Sequence, residues 1–73
     1  MGDAQRLGRI NTRILEINAM IAVITEQKYN VQFEMNENNA QGDNFIDFIQ
    51  EIAELDQTIW DLKVEKQRLI DLI

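Results

Sequence analysis

All seven cations of the chain fall into three places: Arg6, Arg9 and Arg13 near its start, Lys63, Lys66 and Arg68 near its end, and Lys28 between. On a helix, residues three and four apart share a side, so the three arginines line up along one edge. Guanidinium and ammonium groups in a row suit phosphate oxygens, of a nucleotide or of an RNA segment. These seven are therefore the candidate anion contacts. A formal charge of −6 and the lack of aromatic residues among the cations argue against a general nucleic-acid coat. The acids offer the converse chemistry. Asp47, Glu51 and Glu54 can imitate a nucleic acid toward a basic protein.

Catalysis finds little material. The chain has no histidine and no cysteine, which removes imidazole bases, thiolate nucleophiles and the usual zinc ligand sets. Thr12, Thr25 and Thr58 are its only aliphatic hydroxyls, and Gly2, Gly8 and Gly42 make no phosphate-binding loop. Glu51 and Glu54 share a helical side without a histidine beside them, which suits solvent better than a metal. The expectation is a non-enzyme with no catalytic residues, no metal site and no cofactor.

The element that must carry these side chains is a helix, twice. One ladder runs Leu7, Ile10, Ile14, Ile17, Ile21, Ile24, Lys28, Val31, Met35. A second runs Phe45, Phe48, Ile52, Leu55, Ile59, Leu62, Lys66, Leu69, Ile73. Both alternate steps of three and four, the heptad spacing that keeps apolar groups on one stripe. A strand would need a period of two. Proline is absent, so nothing breaks either run. Between them NENNAQGD, residues 36–43, interrupts the pattern.

The spacing predicts an all-α chain: one helical hairpin over 1–73, with a helix over about 4–37, a loop over about 38–43 and a helix over about 44–72. Asn44, with Asp47 three residues on, reads as the second helix's cap, and Asp3 as the first's. A short loop makes the helices antiparallel. The ladders then meet in layers: Leu7 with Ile73, Ile10 with Leu69, Ile17 with Leu62, Ile21 with Ile59, Ile24 with Leu55, Val31 with Phe48, Met35 with Phe45. Lys66 meets Ile14, and Lys28 meets Ile52. The sixteen apolar ladder residues are the expected oligomer seam, because two helices alone leave it half open. A chain this short without disulfides draws its remaining stability from further copies, most simply in a four-helix bundle.

Written as heptads, the ladders hold positions a and d. Helix two adds Ile46, Ile49, Ala53, Trp60 and Ile70 at b and e, which broadens its apolar face. Helix one is polar at e (Asn11, Asn18, Thr25, Gln32) and apolar again beyond, at Leu15, Ala19, Ala22, Tyr29 and Phe33. That separated stripe is a candidate second interface, for more copies or for a protein partner.

Charge is sorted along the hairpin, with the basic clusters at the termini end and Glu34, Glu37, Asp43, Asp47, Glu51, Glu54 and Asp56 toward the loop. An antiparallel dimer lays basic end on acidic end. Lys28 and Lys66 have no acid three or four residues away. Their counter-charge must come from another helix, from water or from a ligand. The choices are a snorkelling stem, register control or an anion pocket.

With 45% hydrophobic residues, no membrane-length apolar run and no signal-peptide core, the expectation is a cytoplasmic, self-associating interaction, assembly or adaptor protein. The alternative is a small regulator or inhibitor that binds an anionic ligand at the basic end or mimics nucleic acid at the acidic end.

Overall fold

The structure, a computed structural model, describes residues 2–39 and 41–73. Over them the protein is two helices, α1 (Gly2–Glu37) and α2 (Asp43–Asp71), packed against one another. Ion pairs tie residue 13 to 65 and 28 to 56, so α2 returns antiparallel along α1. The molecule measures 58 × 15 × 11 Å, a flat rod two helices wide and one helix deep. No helix among the described residues is long and apolar enough to cross a membrane.

Both helices start slightly before the positions expected from the ladders. The loop expected over 38–43 includes Ala40, which, like Met1, lies outside the described residues. Asn44 does not cap α2. The cap is Gly42, at φ 61° and ψ −130°, and no side chain bonds to the exposed amides there. Glycine alone takes that conformation at little cost, so the chain enters the helix before Asn44 is reached. Its carbonyl accepts the first helical bond, from Ile46 N–H at 3.2 Å. Asp43 supplies the acid that suits a helix start, and Asp3 likewise lies inside the first turn of α1 rather than ahead of it. At the other side of the turn, Asn39 has φ 46°, the left-handed setting that asparagine tolerates when it ends a helix.

The core is a single file. Ile17 is fully enclosed, and Ile10 and Val31 are buried, two turns before it and four turns after it, all three at d positions of α1. No residue of α2 is buried to that degree. Ile14, Ile21, Ile24, Met35, Phe48, Ile52, Leu55, Ile59, Leu62 and Leu69 are half-buried, while Leu7, Phe45 and Ile73 are exposed at the two ends. Two cylinders touch along a line, so a seam residue has protein in front of it and water on either flank. The ladder faces inward, and a pair of helices is too thin to close over it.

Candidate interaction flanks

The two long edges of the hairpin differ in chemistry. Reversing one helix while keeping its a/d stripe inward puts like-lettered positions on the same edge. The g positions of both helices therefore share one flank, and the e and b positions share the other.

The g flank is charged. Arg13 makes a forked pair with Glu65, Nε donating to Oε2 at 2.7 Å and Nη2 to Oε1 at 3.0 Å. Its Nη1 also reaches Glu16 Oε2 at 3.3 Å. The guanidinium holds the Glu65 carboxyl below its ordinary range, chiefly through those hydrogen bonds, and the carboxylates hold Arg13 more firmly protonated. A fork of this kind fixes rotation as well as distance, which pins the register of α2 on α1.

Its pH dependence follows from the sign of the shift. Glu65 titrates lower folded than unfolded, so its contribution is complete above the ordinary carboxylate value and disappears as pH falls through its own lowered one. Thermal melting of Glu65→Gln beside the parent chain checks this. The parent is expected to melt higher at neutral pH, and the gap to close in acid. A gap that stays constant with pH would show that the fork adds no charge-dependent stability.

On the other flank Lys28 reaches across to Asp56, Nζ to Oδ1 at 2.7 Å. Asp56 raises the Lys28 pKa, mainly through that hydrogen bond, so the lysine stays charged in the neutral range. Of the sources left open for its counter-charge, another helix, water or a ligand, Lys28 uses the first, at Asp56 of α2. Sequence reasoning named neither Asp56 nor Glu65 as a partner. The letters carried the signal, since Arg13 and Glu65 are both g, and Asp56 is the e residue one turn from the Lys28 layer. Lys66 is half-buried beside the seam, and no carboxylate among the described residues lies within ion-pair distance of it. The same holds for Arg6, Arg9, Lys63 and Arg68. Of the seven candidate anion contacts, Arg13 and Lys28 are therefore already matched to carboxylates.

The e/b flank is mixed: apolar b residues of α1 and b and e residues of α2 border a polar strip, Asn11, Asn18, Thr25 and Gln32 at e of α1, together with the Lys28–Asp56 pair and Lys63. The stripe of helix one, Leu15, Ala19, Ala22, Tyr29 and Phe33, is exposed along its length, with Leu15 69% and Tyr29 62% accessible. Ile46, Ile49, Ala53, Trp60 and Ile70 of α2 are exposed as well. Leu15, Ala22 and Tyr29 are b residues of α1, so they border the same side of the rod as the b and e residues of α2. The two apolar stripes thus face the same side of the rod, with the polar e residues of α1, Asn11, Asn18, Thr25 and Gln32, between them. Beyond them, Ala19, Met20, Val23 and Ile24 line a shallow apolar hollow on α1. Among the described residues no cluster of acids is arranged to hold a metal ion. No known protein family matches the chain, and no curated protein or solved structure matches it.

Proposed function

We propose that this chain is a non-enzymatic assembly module that completes its hydrophobic core by packing against further copies of itself. One observation carries the reading: among the described residues Ile17 alone is fully enclosed, while Leu15, Tyr29, Phe33, Ile46, Ile49, Trp60 and Ile70 stand in solvent. Apolar groups crowded on a small rod raise its free energy in water by roughly 25 cal/mol for each Å² left exposed. A second hairpin removes that surface without any change in either fold, and the result is a four-helix bundle.

Light scattering and sedimentation at two concentrations test it. The expected mass is a multiple of 8.6 kDa that falls toward the single chain only on strong dilution. A folded, cooperatively melting species of 8.6 kDa at every concentration would end this reading. The unmatched cations at the termini end favour a second one, a small regulator that captures a phosphate-bearing ligand. It ranks lower because Arg13 and Lys28 already hold carboxylates. Binding of a short RNA oligonucleotide, falling steeply with salt, is its signature.

A further inference from the structure

We infer that the g and c positions of α1 form a self-complementary docking strip, on which α1 of a second copy of this chain lies antiparallel, held chiefly by charge. The strip belongs to the charged flank, away from Leu15, Tyr29 and Trp60. It is therefore a contact distinct from the apolar one proposed above, and it adds to that assembly only when salt is low.

The pattern of α1 carries the inference. A twofold axis crossing the helix midway between Met20 and Val23 sets g residues against c residues of the second copy. Arg6 then meets Glu37, Arg9 meets Glu34, Arg13 meets Asn30, Glu16 meets Gln27 and Met20 meets Val23. One centre serves every pair. Among the described residues, Arg6, Arg9, Glu34 and Glu37 are exposed and have no ion-pair partner within the hairpin. Arg13 and Glu16 are matched to each other and face neutral amides. No charge on the strip meets its like. Copies laid in the same direction would instead stack arginine on arginine and glutamate on glutamate.

The surface agrees with that centre. The apolar hollow of Ala19, Met20, Val23 and Ile24 is centred on the same point of α1. Val23 is 56% exposed there, so the middle of the strip is apolar where the two helices must approach most closely. The order of the charges also works against α1 itself. Glu34 and Glu37 stand in its last turn, where the helix dipole favours cations, and no base is found there. The isolated helix gains nothing from this order, whereas an antiparallel copy brings a basic half over each acidic half, which also steers the approach.

The matching positions of α2 do not share this pattern. Asp47, Glu51, Glu54 and Asp61 would repel their own equivalents, so the contact runs along α1 alone. On a helix of 3.6 residues per turn the strip is turned roughly 110° from the side that faces α2. Two α1 helices can therefore touch while each α2 stands to the side.

Salt separates this contact from the apolar one. Charges act over roughly 30 Å at about 10 mM salt and over roughly 3 Å at about 1 M. Sedimentation of the full chain is expected to show a heavier species at the lower salt. Arg9→Glu alone and Glu34→Arg alone are each expected to lose that step, because each sets like charges together twice across the axis. An equimolar mixture of the two is expected to regain it. In the mixed pair the introduced carboxylate faces the introduced guanidinium, and one native Arg9–Glu34 contact remains. Both substitutions suit the dipole of α1, and far-ultraviolet circular dichroism checks that the helices persist. No low-salt step in the parent chain, a step that persists in either variant, or a mixture that stays at its high-salt mass would overturn the strip. The mass at high salt reads the apolar assembly by itself, so either contact can fail without the other.

Discussion

Replacing Ile17 with alanine is expected to lower the free energy of unfolding by about 2–5 kcal/mol, the range for truncating an enclosed isoleucine. Among the described residues Ile17 alone has no accessible surface; Ile14 and Ile21 flank it on its own helix, and the register of the 13–65 and 28–56 ion pairs puts it level with the Leu62 region of α2. Removing it leaves a hole that two straight helices cannot collapse to fill. Denaturant melts followed at the helix band measure the loss. A chain of this size holds few kilocalories in reserve, so the variant is expected to be largely unfolded at 37 °C. A loss below about 1 kcal/mol would mean that the seam relaxes around the hole and that Ile17 is not the centre of the core.

The second expected result concerns the flank. The double variant Leu15→Gln, Tyr29→Gln is expected to keep its helices and lose its oligomer. Glutamine is nearly as good a helix former as leucine, and both positions are exposed in the hairpin, so the isolated fold gives up little. The assembly gives up more, because each substitution occurs in both copies. At even ~1.5 kcal/mol for each chain, the total of ~3 kcal/mol weakens association by roughly a hundredfold. Sedimentation reads the mass, and the single Trp60, 63% accessible in the hairpin, reports independently. Its emission should shift to the red in the variant at concentrations where the parent chain is associated. An unchanged oligomer would remove this flank from the interface.

Much of the fold was legible because heptad spacing is a repeated signal. The isoleucine run from Ile10 to Ile24 admits one stripe of one helix and nothing else. The ends were less legible because they rest on single residues. Asn44 had the right chemistry for a cap, but Gly42 reached a backbone setting that asparagine could not match, and geometry prevailed over side-chain hydrogen bonding. The cross-helix ion pairs were missed for a different reason. A search for acids three and four residues from Lys28 examines one helix, and Asp56 belongs to the other. That the two apolar stripes face the same side of the rod, with the polar Asn11, Asn18, Thr25 and Gln32 between them, follows from the antiparallel turn and is evident only when both helices are viewed together.

The turn itself has a further consequence. Asn39 and Gly42 are the only described residues with positive φ, and the described residues before and after them are helical or nearly so. Were those few bonds to straighten, the chain would become one continuous rod of roughly 105 Å. Its ladders would then close only against a second straightened rod, each chain lending the other the helix it no longer folds back upon itself. Reciprocal exchange and the closed hairpin thus use the same seam. The choice between them is made by a handful of torsion angles, of which the one at Gly42 most resists any side chain put in its place.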